Sequence, residues 1–187
     1  MFARLSILGL AAALAISPSR SSSPDSAPAL GSGPAYTLET TGALRQSVSG
    51  TEAHYSISPE TVQGKRELAI ALGPKEGDGA IWLFTGGDEP LRPGLYPVVY
   101  HWAEHRTGAA REFHACYLPG SARHPLGMFH SESGWLTITE SEPGRIVGRF
   151  ELRARGFLAT NEKDENQWVT VEGTFTAEGD RTLAAER

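Results

Sequence analysis

Cysteine is nearly absent from this chain: Cys116 is the single one among 187 residues, so no disulfide can form within it. Long apolar runs are missing too. The longest, residues 5–16, falls well short of the roughly 20 residues a membrane-crossing helix needs. Positive charge is in deficit, with 17 Lys and Arg against 22 Asp and Glu and a net charge of −5. That sign argues against general binding to nucleic acid or anionic lipid. Helical spacing of apolar residues is not sustained anywhere over about eleven residues. Catalytic signatures are lacking as well. There is no Gly-x-Ser-x-Gly elbow for a nucleophile and no Asp-x-Asp-x-Asp ladder for calcium, and a catalytic set or cofactor site is not expected.

What the chain does have is alternation. Residues 134–154, Gly-Trp-Leu-Thr-Ile-Thr-Glu-Ser-Glu-Pro-Gly-Arg-Ile-Val-Gly-Arg-Phe-Glu-Leu-Arg-Ala, read as a β-hairpin. Leu136 and Ile138 point one way on the first arm, and Trp135, Thr137 and Thr139 the other. Ile146, Gly148, Phe150, Leu152 and Ala154 share a face on the second arm, with Arg145, Val147, Arg149, Glu151 and Arg153 opposite. A period of two marks a strand with one buried and one wet side. Facing residues must share a side, so the even-numbered sets fix the parity of pairing. Leu136 then faces Phe150, and Ile138 faces Gly148. The loop is either Glu142-Pro143-Gly144 or a Pro143-Gly144 type II turn with a bulge. A third strand, residues 168–175, carries Val171-x-Gly173-x-Phe175, echoing Ile146-x-Gly148-x-Phe150. Glycine inside a strand marks close packing, a bulge or an aromatic ring over bare backbone.

The first residues have the layout of a secretory signal peptide: Arg4, then the apolar run, then Ser17-Pro18. Small residues at Ser26-Ala27-Pro28-Ala29 suggest cleavage within 1–29, although an earlier cut near Ser17 fits too. Residues 17–35 are rich in Ser, Pro, Gly and Ala, a composition that cannot offset the entropy of ordering, and are expected to form a disordered tether. The single domain is expected over 36–177, followed by a polar tail, 178–187. Removing 1–29 takes away Arg4, Arg20 and Asp25, one net positive charge, and leaves −6.

Within the domain, short alternating segments follow one another: 36–41, 43–48, 53–57, 68–72, 81–84, 96–102 and 112–117, with Phe129 opening a short piece before the hairpin. Residues 112–117 are expected to return antiparallel to 96–102. Ile81-Trp82-Leu83-Phe84 reads as a central strand covered on both faces. Pro93-Gly94, Pro119-Gly120 and Pro143-Gly144 all fit tight turns, and one short helix has room at 59–67 or in the tail. The pattern predicts an all-β domain, an antiparallel β-sandwich or closed β-barrel of about 8–10 strands.

Candidate chemistry is sparse. Five of the six histidines lie between His101 and His130. Glu112, His114 and Cys116 share a strand face and, with His101, form a possible zinc or copper site, although no pair has a recognised ligand spacing. The more informative feature is the wet face of the hairpin. Trp135 stands opposite Glu151, with Arg149 and Arg153 on its diagonals, and Trp168 faces outward on the third strand. Tryptophans amid arginines on a polar face stack on sugar rings or anchor a protein partner. Arginine stems also pack over indoles at ordinary surfaces.

Ser133-Gly-Trp-Leu-Thr-Ile-Thr139 followed by Gly144-Arg-Ile-Val-Gly-Arg-Phe-Glu-Leu152, after a signal peptide and a Ser/Pro tether, resembles uncharacterised exported bacterial envelope proteins with all-β domains. The likeness covers residues 134–175 well and 36–117 loosely. It implies an antiparallel β-fold and export to the periplasm or beyond, and it carries no activity. The expected function is a non-enzymatic binding module for an envelope protein, glycan or small ligand, with Trp135, Arg149, Arg153 and Trp168 as contact residues. One alternative is a barrel carrying a small apolar ligand among Trp82, Phe84, Tyr96, Tyr100, Trp102 and Phe113. The other is the metal site around His101, His114 and Cys116.

Overall fold

The computed structural model describes residues 33–58, 66–73, 78–87, 89–100, 111–121 and 124–179, all belonging to one unit that starts at Gly33. The described residues form ten strands and no helix: β1 (Tyr36–Gly42), β2 (Gln46–Gly50), β3 (Ala53–Ser58), β4 (Glu67–Leu72), β5 (Asp78–Gly86), β6 (Gly94–Val99), β7 (His114–Ser121), β8 (Gly127–Glu142), β9 (Arg145–Leu158) and β10 (Gln167–Gly179). All ten strands belong to one continuous hydrogen-bonded sheet with two sides, a six-stranded sheet β2-β1-β10-β9-β8-β6 and a four-stranded sheet β3-β4-β5-β7. They join at two corners. β10 meets β3 in parallel through Glu178↔His54 and Gly179↔Tyr55, and β7 meets β8 through Cys116↔His130 and Tyr117↔Phe129. Seven strands therefore close into a ring, while the β1–β2 hairpin and β6 extend one sheet beyond it.

The central hairpin, β8–β9, shows how the sequence sets this geometry. Leu136 pairs with Phe150 and Ile138 with Gly148, and these even-numbered side chains are buried. The turn itself is the two-residue form, with Glu142 opposite Arg145. Gly144 has φ 86°, and Pro followed by a positive-φ Gly is the pair a type II turn requires. A two-residue loop would reverse the inward face, so the register shifts once between Ile138 and Glu140. That bulge restores the parity the apolar side chains demand.

The glycine echo has a physical basis. β9 and β10 pair so that Gly173 faces Phe150 and Phe175 faces Gly148. Each ring covers the other strand's glycine. A Cβ added to Gly148 would come 2.8 Å from Phe175 Cζ and 2.7 Å from the Thr137 carbonyl oxygen. One added to Gly173 would come 2.7 Å from both Phe150 Cζ and the Thr37 oxygen. Tyr36 covers Gly50 and Tyr55 covers Gly179 in the same way. Tyr55 also clamps the parallel corner, since its Oη accepts from the Gly144 amide at 3.0 Å, and the Gly179 amide donates to the Gly144 carbonyl at 2.9 Å.

β8 belongs to both sheets. Its first residues lie beside β7 and its later ones beside β6, with a second register shift between Ser131 and Ser133. Changing neighbours frees backbone groups that must be paired elsewhere. Ser131, fully buried, pairs two of them: its Oγ accepts from the Ala115 amide at 2.9 Å and donates to the Val99 carbonyl at 2.6 Å. Across the interior, Tyr117 on β7 reaches Thr40 on β1, oxygen to oxygen at 2.9 Å, and Gln46. This polar tie joins the two sides across a predominantly apolar core.

Several sequence expectations are corrected. β6 does not pair antiparallel with β7. It pairs with β8 and meets the lead into β7 only through the parallel bridge Val98↔Phe113. The fourteen residues separating Val99 from His114 exceed the dozen or so a parallel crossover needs. Phe129 lies inside the 16-residue β8 rather than in a short separate piece. Pro119-Gly120 stays within β7, and the turn follows, closed by Ser121 and His124 amide–carbonyl bonds of 3.2 and 3.0 Å. Within the run 81–84 of β5 only Ile81 and Leu83 are buried, while Trp82 and Phe84 are half-buried. The helix expected at 59–67 or in the tail falls largely outside the described residues, and Glu67 begins β4.

Candidate functional site

Trp135, Arg149, Arg153 and Trp168 all occupy outward positions on the wet side of the six-stranded sheet. Pairing places its outward side chains in rows that cross the strands. One row reads Glu39 on β1, Glu172 on β10, Glu151 on β9, Trp135 on β8 and Pro97 on β6. The row beside it reads Thr37, Thr174, Arg149, Thr137 and Leu95. Three glutamates thus stand directly opposite one another on consecutive strands, their Cβ atoms about 5 Å apart by sheet geometry. Together the two rows line an open concavity of about 590 Å³ that contains Trp135, Leu95, Arg149, Phe150 and the three glutamates.

The four residues read from the sequence separate into two pairs. Trp135, 54% exposed, and Arg149 line the concavity. Trp168 is half-buried and does not share that opening. Arg153 lies over its ring, with Cζ 4.0 Å from the centroid, and Arg155 Cζ is 5.9 Å away. Arg155 also pairs with Glu132, Nε to Oε1, at 2.8 Å. Leu95, at 60% the most exposed large hydrophobic residue described, was not among the expected contacts, and neither were Glu39 and Glu172. The alternation around Leu95 is weak, and the glutamate row exists only through pairing of β1 with β10.

A second concavity of about 360 Å³ lies further along β8, lined by Tyr100, Met128, His130, Glu132, Arg155 and Phe157, among others. Burial lowers the pKa of His130 below its ordinary 6.5, since desolvation disfavours the charged imidazolium.

The residues of the possible metal site are arranged differently. His114 and Cys116 occupy alternate outward positions of β7. His114 stacks on Phe84, centroids 5.3 Å apart, and its Nε2 lies 3.6 Å from a Glu67 oxygen. Burial raises the Cys116 pKa, which suppresses the thiolate that binds metal or attacks carbon. Glu112 precedes β7 and is half-buried, while His101 lies outside the described residues. No group of three His, Cys, Asp or Glu side chains among the described residues is arranged to hold a metal ion.

The aromatics considered for an enclosed ligand do not share one interior. Phe113 is in the core, Tyr96 packs edge-on to it at 5.7 Å, Trp82 and Phe84 face outward, and Tyr100 is exposed. Trp102 lies outside the described residues.

No family model, no curated protein and no solved structure matches this chain.

Proposed function

We propose that this chain is an exported, non-enzymatic binding module of the cell envelope that docks a partner through the outer face of its six-stranded sheet. The observation that carries the reading is where exposed apolar surface falls. Every large hydrophobic side chain found exposed among the described residues, namely Leu95, Tyr100, Leu126, Met128 and Trp135, belongs to β6, β8 or a residue adjoining one of them. Singly scattered apolar residues are ordinary, whereas exposed apolar residues gathered in one region mark a contact surface. Trp135 is its natural anchor, because an indole gives much contact area for little lost entropy. The apolar run and Ser/Pro-rich stretch at the N-terminus support export.

Site-directed photo-crosslinking in producing cells tests this. A benzophenone side chain at Leu95 is expected to give a discrete adduct whose yield collapses in Trp135→Ala, while one at Glu162, in the loop after β9, gives none. No adduct at Leu95, or one indifferent to Trp135→Ala, would overturn the reading.

A further inference from the structure

The groove floor breaks a rule of sheet design. Like charges placed directly opposite across strands destabilise a sheet, yet Glu39, Glu172 and Glu151 form an unbroken row of them. The arginines of β9 do not relieve it. Arg145 is drawn to Glu140 at 2.6 Å, Arg155 to Glu132 and Arg153 onto Trp168. Arg149 alone faces the groove, one positive charge against three negative. Among the described residues, no ion pair or hydrogen bond reaches a carboxylate of the row. The exposed indole of Trp135 stands next to Glu151 in the row, and a tryptophan face is the best uncharged seat for a cation.

Resting on the docking reading above, we infer that the partner presents an extended segment bearing Lys or Arg at alternate positions, laid across the strands along this row. The spacing agrees. From Glu39 to Trp135 is three strand spacings, roughly 14 Å, and four residue steps of an extended chain cover roughly 13 to 14 Å. Cationic side chains at positions i, i+2 and i+4 therefore span the row from Glu39 to the indole. Electrostatic pairing sets the approach and register, and Trp135 with Leu95 supplies the apolar contact.

The test uses the full exported chain, labelled with ¹⁵N. Three capped heptapeptides of the form Gly-X-Ser-X-Ser-X-Gly are titrated in, with X as Lys, Gln or Glu. The Lys peptide is expected to shift the amides of Leu95, Thr137, Arg149 and Thr174. Its affinity should fall about tenfold between about 20 and about 300 mM NaCl, and about tenfold in the triple variant Glu39→Gln/Glu151→Gln/Glu172→Gln. Equal shifts from the Gln peptide would overturn the charge inference while leaving the docking reading standing. Lys-peptide affinity unchanged in the triple variant would do the same. Groove amides that respond to no peptide but move with cellohexaose would point to a glycan and overturn the inference. Lys-peptide shifts mapping only outside the groove would overturn both readings. The Gln variants relieve repulsion on an exposed face, so they are expected to fold, and a thermal melt checks this.

Discussion

Replacing Glu172 with Gln should make the protein more stable, an unusual outcome for a point substitution. Glu172 faces Glu39 on one side and Glu151 on the other, so the change removes two cross-strand repulsions. At about 0.5 kcal/mol each, the middle of the range for such pairs, the gain is about 1 kcal/mol. For a domain of this size that raises the melting temperature by about 2 to 4 °C. Glu39→Gln removes one repulsion and should give about half. In the Glu172→Gln background it should add almost nothing, because the partner charge is already gone. Salt separates charge from strand propensity. At about 1 M NaCl the screening length is about 3 Å, shorter than the separation within the row, so the variant's advantage should shrink by more than half. Differential scanning calorimetry at two salt concentrations reads all of this, with Glu162→Gln as a neutral surface control. Wild-type stability equal to or above that of Glu172→Gln, or an advantage unchanged by salt, would refute the reasoning.

Other outcomes follow from the packing and pairing described above. Gly148→Ala and Gly173→Ala should each cost about 1 to 3 kcal/mol by overpacking, seen as a lower urea midpoint at unchanged slope, because the added methyl meets both a phenyl ring and a carbonyl oxygen. Ser131→Ala leaves the Ala115 amide and the Val99 carbonyl without their partner; a loss of about 2 to 3 kcal/mol and faster exchange of the Ala115 amide are expected. His130 should titrate below 6.5 by NMR, since burial disfavours its charged form. The unfolded chain then takes up that proton first, so stability falls as pH drops through about 6.5 and below, and His130→Gln should remove that increment.

The sequence carried the local geometry of this fold well and its long-range geometry poorly. Parity along residues 134–154 places Leu136 against Phe150 because a one-residue slip would expose a whole apolar set. The sequence leaves the turn form open, since a three-residue loop satisfies that parity directly and a two-residue turn satisfies it with one bulge. The Gly/Phe echo acquires its meaning from how β9 meets β10, where each ring faces the other strand's glycine. Nothing local in residues 36–42 reveals that β1 lies beside β10, about 130 residues later, or that β6 chooses β8 over β7. The glutamate row is invisible for that reason, since Glu39, Glu151 and Glu172 become neighbours only through pairing. Trp135 and Arg149 stand out from alternation alone. Whether an indole is open or capped depends on rotamers, and that difference separates Trp135 from Trp168 beneath Arg153.

Hydroxyl-radical footprinting of the protein in intact cells, compared with the purified protein, tests most directly whether the β6–β8 face is occupied. Trp135 and Leu95 are both well exposed in the free chain and both react readily with radicals. A docked partner predicts their strong protection in cells, with exposed His124 labelled equally in both samples. Equal labelling of Trp135 and Leu95 in cells and in solution would mean that nothing covers this face and would contradict the account.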